Sequence, residues 1–424
     1  MTQRESRHRT HSENDDRTAR GVRGGDEPEG ATRSAHRTPL QGAGEIALRG
    51  PAQLADALPY LLGFYPDDSI VVVALHGDRR RFGGRIRLGL PADPGEWPAV
   101  SAQVAACLED NVKSGGRRPE GAIVYLCQDP AGGESGREVT ERLRPLAQAL
   151  RTACGEREMP VWEALCLSGG SFWSYCCPDA ECCPAEGRPM GVPGTSPMAA
   201  AAAYAGIQVR GSLRELERRL APLELRAAEA QERALDRAGR LLVPRMLAPG
   251  TRPAVEAETI ELAERLLTRY RADAPPSEDA AAADAHDDEL LGHEEAALLL
   301  LGLQDRRTRD RAAEWMEGDD VDPALRLWRA LARRCVGPYT EHSAAPLTLT
   351  GWVAWSGGDE ATARVALDRA LENDPEYSFA RLLHQLFNEE TDPELLRGCM
   401  RKEREARRAL ETQDRPNGAP RSGP

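Results

Sequence analysis

The most constraining feature of the sequence is an uninterrupted run of β-branched and aliphatic residues, Ser69-Ile-Val-Val-Val-Ala-Leu75. An alternating pattern would predict a strand with one face in water, whereas a continuous run predicts a strand that is buried on both faces. Such a strand needs a covering layer on each side. The chain is therefore expected to fold as layers, with a sheet between helices.

Short apolar runs and amphipathic segments alternate after this strand. Residues 121–127 and 161–167 are predicted strands, and amphipathic helices are expected at residues 95–113 and 134–154. The alternation favours an N-terminal α/β domain over residues 45–195. Its mixed sheet is expected to have parallel central strands and an antiparallel edge.

The remainder of the chain has the apolar spacing of helices. We expect a helical segment at residues 196–272 and an all-α region at residues 296–402. Between them, residues 273–295 hold nine acids and no lysine or arginine. That composition predicts a disordered acidic linker.

Both terminal stretches are expected to be disordered. Residues 1–44 contain almost no large apolar side chains, and residues 409–424 end in a segment rich in proline and glycine. Neither stretch can bury enough apolar surface to offset the entropy of ordering its backbone.

A helical-hairpin motif lies within the all-α region. Gly351, Ala363, Ala370 and Pro375 have the relative spacing of the small residues and final proline of a tetratricopeptide repeat (TPR). Small residues are needed where two antiparallel helices cross closely. This single match predicts a TPR-like hairpin, whereas a stable array needs about three repeats.

Composition excludes several classes of function. The 424 residues include 55 basic and 68 acidic side chains, a net charge of −13, which argues against a nucleic-acid or anionic-membrane partner. The longest apolar runs fall short of the ~18 residues of a membrane span. The opening MTQRESRHRT lacks the apolar core of a signal peptide. We therefore expect a cytoplasmic protein.

Four cysteines in one short segment are the sharpest candidate for chemistry. Cys176 and Cys177 precede the turn Pro178-Asp179-Ala180-Glu181, and Cys182 and Cys183 follow it. Three interpretations are open: an inert hairpin, a disulfide between Cys177 and Cys182 under oxidation, and a metal site. The acids of the turn are expected to raise the pKa of the thiols and so lower their reactivity.

The metal interpretation meets a geometric difficulty. Zinc takes four ligands in a tetrahedral arrangement, and adjacent residues of a strand point to opposite faces. Cys176 and Cys177 are therefore not expected to reach the same ion, and a zinc site would need a ligand from elsewhere. No cofactor is predicted, and zinc is kept as the alternative.

The loop Asp67-Asp68-Ser69 is a second polar candidate. Paired carboxylates can hold Mg²⁺ or act as acid and base. The loop precedes a central strand, whereas ligands of open α/β sheets bind beyond the carboxyl ends of strands. A turn and strand cap is therefore favoured, and a ligand would be expected near Leu75-His76 and Cys127-Gln128-Asp129.

Three stretches of the chain carry a resemblance to a known family. They are LRGP, LLGF and PDDS within residues 48–69, FWSYCC and CCP within residues 172–184, and TLTGWVAW at residues 348–355. In these stretches the chain resembles an uncharacterised actinobacterial family, domain of unknown function 4192, over about residues 46–400. The resemblance implies an intracellular protein of GC-rich actinobacteria and brings no activity, substrate or catalytic residue.

These observations favour a non-enzymatic protein-interaction or regulatory protein with a protein partner. Helical repeats present grooves that bind peptides, and the GxxxxGK[ST], GxGxxG, HExxH and GxSxG motifs are absent from the sequence. The alternative is a small-ligand binder or enzyme that uses the α/β domain. A third possibility is a redox or zinc sensor built on the segment 176–183.

Overall fold

The computed structural model describes residues 48, 50–77, 80–113, 118–179, 181–277, 279–389 and 391–413. The tail expected at residues 1–44 lies outside this part of the chain, as do residues 414–424. Residues 409–413 continue the last helix, so the prediction of disorder from residue 409 is wrong for these five positions.

A six-stranded mixed sheet forms the N-terminal half, which confirms the predicted fold class. The strands are β1 (Ser69–His76), β2 (Arg81–Gly89), β3 (Gly121–Cys127), β4 (Val161–Ser168), β5 (Ser171–Ser174) and β6 (Arg188–Pro189). They lie in the order β2-β1-β3-β4-β5-β6. Among these six strands only β3 and β4 pair in parallel, and the other four neighbouring pairs, including both pairs of β1, are antiparallel.

Helices cover both faces of the sheet. Every residue of β3 and all but the last residue of β1 are buried, as their continuous apolar sequences predict. One face packs against α2 (Trp97–Lys113) and α3 (Gly136–Gly155). The other face packs against α1 (Pro51–Leu62) and helices of the C-terminal half.

The described residues that follow the sheet are mainly helical. Their helices are α4 (Pro197–Tyr204), α5 (Leu213–Arg218), α6 (Leu225–Leu247), α7 (Arg252–Ala272), α8 (Ala280–Glu289), α9 (His293–Gly302), α10 (Arg306–Ala312), α11 (Val321–Arg333), α12 (Ala344–Ser356), α13 (Glu360–Asn373), α14 (Ser378–Asn388) and α15 (Glu394–Gln413). Within the described part of the chain, no helix has the length and apolarity needed to cross a bilayer.

Helices α12 and α13 cross closely at Gly351. A Cβ atom at this position would lie 2.7 Å from Leu367 Cγ, so the approach requires a residue without a side chain. Asp359 caps α13 by accepting a hydrogen bond from the backbone N–H of Thr362 at 3.1 Å. The small-residue argument thus holds at this crossing, while the assignment to the TPR class stays a prediction.

The sheet and the helical half share one hydrophobic core. Residues that line it from the sheet and from the helices include Val71, Tyr125, Leu165, Trp328 and Trp352. At the junction, a Cβ atom on Gly63 would lie 3.3 Å from Ala361 Cβ. The boundary expected at residue 195 therefore does not separate two cores.

The acidic stretch 273–295 is part of the fold, so the prediction of a disordered linker is wrong for its described residues. It contains α8 and the start of α9. Asp287 of α8 is 1% exposed and accepts hydrogen bonds from Arg326 of α11 at 2.7 and 2.9 Å. Arginines from both sides of the stretch pair with its acids, since Arg326 lies 39 residues after Asp287 and Arg219 lies 65 residues before Asp284.

Candidate functional site

The cysteine segment, residues 176–183, lies between β5 and β6 and packs near Trp173. This side chain is 8% exposed, and its Nε1 donates to the carbonyl of Ala185 at 3.1 Å. Gly187 has φ +81°, and a Cβ atom there would lie 2.4 Å from the indole ring. Only glycine fits a positive φ in such close contact, so the returning chain passes directly over Trp173.

Two turns fold the segment back on itself. Ser174 Oγ accepts hydrogen bonds from the backbone N–H groups of Cys176 at 3.1 Å and Cys177 at 2.8 Å. Further along, the N–H of Cys183 donates to the carbonyl of Asp179 at 2.7 Å. The chain therefore returns so that residue 183 lies near residue 177.

Three of the four cysteines converge. The Sγ atoms of Cys177, Cys182 and Cys183, here called the three-thiol cluster, all lie within 4.8 Å of one another. The sulfur atoms of Cys182 and Cys183 are 3.9 Å apart. Zinc binds sulfur at about 2.3 Å, which places two sulfurs of a tetrahedral site about 3.8 Å apart. The cluster needs to contract by about 1 Å at most to share one ion.

Cys176 lies apart from the three-thiol cluster. It packs against the core between the sheet, α2 and α3. Burial and the Glu163 carboxylate raise the pKa of its thiol. The adjacent Cys176 and Cys177 thus have different surroundings.

The chain segment that carries the three-thiol cluster has excess negative charge. Residues 176–189 include three acids and one arginine. All three thiols are partly buried. Burial, followed by contacts with the other two thiols, raises the pKa of Cys183. Cys183 is therefore a neutral thiol near pH 7 when no ion is bound.

The loop Asp67-Asp68-Ser69 lies at the carboxyl end of the parallel pair β3 and β4. Because β1 runs antiparallel to β3, Ser69 pairs with Cys127, the last residue of β3. The prediction that this loop lies at the opposite end of the sheet is therefore wrong. Leu75 pairs with Gly121, so the Leu75-His76 end lies far from Cys127 and the two do not form one site.

The side chains of this loop are engaged by the protein itself. Asp67 Oδ2 accepts from the backbone N–H of Arg214 at 2.8 Å, and Asp68 Oδ2 accepts from Arg214 Nη2 at 2.7 Å. Gln128 Nε2 donates to Asp68 Oδ1 at 3.1 Å. Ser69 Oγ donates to the carbonyl of Asp67 at 2.5 Å. These bonds fasten the start of α5 to the sheet, in keeping with a turn and strand cap.

Sequence reasoning missed a buried cluster of arginines and aspartates between α8 and α11. Arg326, Arg329 and Arg333 are each less than a tenth exposed. Burial, and secondarily the nearby Arg219, lowers the pKa of Arg329 to about 10. The sequence does contain a pattern that indicates this cluster, because the three arginines recur at three- and four-residue spacing on one side of α11.

The architecture defines a mixed α/β sheet protein whose second face is covered by a helical half of the same chain. The chain belongs to the family described as domain of unknown function (DUF4192), whose sequence model matches residues 51–394. The resemblance seen in the sequence is thereby confirmed. The match extends from α1 through the cysteine segment to the start of α15. No curated protein and no solved structure matches the chain.

Proposed function

We propose that the protein is a non-enzymatic regulatory protein that binds a thiophilic metal ion at Cys177, Cys182 and Cys183. The observation that supports this function is the convergence of the three sulfur atoms within 4.8 Å. Thiolate ligands favour soft ions such as Zn²⁺ and Cu⁺ over Mg²⁺ or Ca²⁺. Zinc is the first ion to test, because it is the common ion of cysteine sites.

Bound ion would act as a crosslink between the two ends of the cysteine turn. The flanks of the segment are already fixed, by Ser174 on one side and by Trp173 beneath Gly187 on the other. Ion binding would therefore order the turn itself and leave the sheet unchanged. A partly exposed turn that changes with ion occupancy is suited to regulation of a surface contact.

The proposal includes a location and a partner. The cytoplasm of a GC-rich actinobacterium would keep the three thiols reduced and available. The helical half would present its surface to a protein partner, as helical repeats do.

The test is ion binding by the reduced full-length protein. We expect one Zn²⁺ or Cd²⁺ per chain in native mass spectrometry and equilibrium dialysis, and loss of binding in Cys177→Ser. Cys176→Ser is the matched control, because this neighbouring cysteine lies outside the three-thiol cluster. Failure of both ions to bind, or an equal loss in the control, would contradict the proposed function.

Small-ligand binding is a second candidate, favoured by the position of Asp68. The loop that holds it lies beside Gln128 at the carboxyl ends of β3 and β4, where α/β sheets bind ligands. Native mass spectrometry of the purified protein tests this function. A small molecule that co-purifies and is lost in Asp68→Asn would support it, and an unchanged apoprotein mass would count against it.

A further inference from the structure

The number of donor atoms limits which ions the three-thiol cluster suits. Across the described residues, the convergent ligand atoms at this site are the three sulfurs of Cys177, Cys182 and Cys183. Cys176 would be the obvious fourth donor, but it packs into the core. Zinc in a structural site takes four protein ligands. Zinc here would need a fourth ligand from solvent, whereas an ion satisfied by three sulfurs would need none.

The charge of the site also favours an ion other than zinc. Three thiolates leave a net charge of −1 with a divalent ion, −2 with a monovalent ion, and zero with a trivalent ion. The segment 176–189 already carries three acids against one arginine, and the thiols are partly buried. Nearby acids and partial burial both disfavour a negative charge that remains on the complex of ion and thiolates. The charge of this segment and the partial burial of the thiols therefore favour the ion that neutralises all three thiolates.

We infer that the three-thiol cluster prefers a trivalent thiophilic element supplied as its neutral oxyacid, with arsenite as the probe, over divalent zinc. This inference rests on the proposed function and names the ligand class of the same site. The reaction balances without a redox change. Three arsenic–oxygen bonds of arsenous acid break, three arsenic–sulfur bonds form, and each thiol proton leaves with a hydroxyl group as water.

The protonation of the thiols agrees with this chemistry. Cysteine thiols are largely protonated near pH 7, so a divalent ion has to displace protons into solvent before it can bind these sulfurs. Arsenous acid consumes the same protons when water forms. Arsenite binding is therefore expected to release no net protons, whereas zinc binding releases them.

The experiment titrates the reduced full-length protein with sodium arsenite or zinc chloride near pH 7. We expect one arsenic per chain, a mass gain that matches loss of three waters, and no proton release. Zinc should release protons and bind at least about tenfold more weakly than arsenite. Single serine variants of Cys177, Cys182 and Cys183 should each weaken arsenite binding by at least about tenfold, while Cys176→Ser keeps it.

The outcomes separate this inference from the proposed function. Zinc or cadmium binding that is tighter than arsenite binding would overturn the inference and leave the proposed function standing. Arsenite binding that Cys177→Ser does not weaken would also overturn it, because two adjacent thiols would then suffice. Binding of none of the three ions would overturn both.

Discussion

Two polar clusters of this molecule differ in whether their groups are paired with groups of opposite charge. Between α8 and α11, acids and arginines from distant parts of the chain meet, as in the buried pair of Asp287 with Arg326. In the three-thiol cluster, the three sulfur donors come from seven consecutive positions and lie within 4.8 Å of one another. The first cluster pairs opposite charges supplied by the protein itself and stabilises the fold. The second brings together donors of one kind, which is the arrangement of an ion site.

The largest expected effect is on the buried cluster. Asp287→Ala removes the carboxylate 2.7 Å from the Arg326 guanidinium, which is 3% exposed, and leaves only the exposed Asp322 at 3.8 Å. Loss of one partner of a buried ion pair costs about 3–5 kcal/mol in the free energy of unfolding. Urea-induced unfolding of the full chain measures this loss.

The matched control is an ion pair on the surface. Glu376→Ala removes the partner of Arg381, and both side chains of that pair are more than half exposed. Its cost is expected to stay below about 1 kcal/mol. Equal losses in the two variants would remove the distinction between the buried cluster and ordinary surface charge.

The next effect concerns the three-thiol cluster and appears only when an ion is bound. Wild-type protein should gain about 2.7 kcal/mol in free energy of unfolding when the bound ion is present at a hundred times its dissociation constant. Cys177→Ser should lose this gain while its stability without ion stays within about 0.5 kcal/mol of wild type. A large loss in the ion-free variant would instead make the thiols structural.

A smaller effect is expected where the chain after the cysteine segment packs against Trp173. Gly187→Ala places a methyl group against Trp173 at a position with φ +81°, which should cost about 1–3 kcal/mol and weaken ion binding. Gly194→Ala is the control, because Gly194 has φ +82° but no atom within 4 Å of the added methyl group. If both variants behave alike, the contact with Trp173 does not position the segment.

The smallest effect is a dependence on pH. The folded state raises the pKa of Cys183 above the value of about 8.5 for an unfolded chain. Above that pH the unfolded chain loses the thiol proton while the folded chain keeps it, so stability falls as pH rises. The fall between pH 8.5 and 10 should be shallower in Cys183→Ser than in Cys399→Ser, a cysteine outside the cluster. Parallel pH profiles would contradict the raised pKa.

The sequence predicts the sheet well because its signals are local. Continuous apolar runs mark β1 and β3, and both are buried as expected. The direction of β1 could not be predicted, since periodicity carries no information about which way a strand runs beside its neighbour. Because the direction of β1 was unknown, the Asp67-Asp68 loop was predicted at the opposite end of the sheet from the one where it lies.

The acidic stretch shows why composition alone fails for α8. Within residues 273–295 the charges are unbalanced, which is the signature of a linker. The balancing arginines lie on other elements, such as Arg326 of α11 and Arg269 of α7, and are brought to the stretch by the fold. For the cysteines, sequence spacing identified the segment, but only the backbone turns show that three sulfurs converge and that Cys176 does not.

The shared core of sheet and helices also bears on how the chain is made. Val71 and Tyr125 leave the ribosome long before Trp328 and Trp352, with which they share that core. Translation at about 5–20 residues per second puts roughly 10–40 s between the two sets. Throughout that interval the nascent sheet displays an uncovered apolar face. Synthesis of this protein is therefore expected to depend on a chaperone that holds the sheet until the helices arrive.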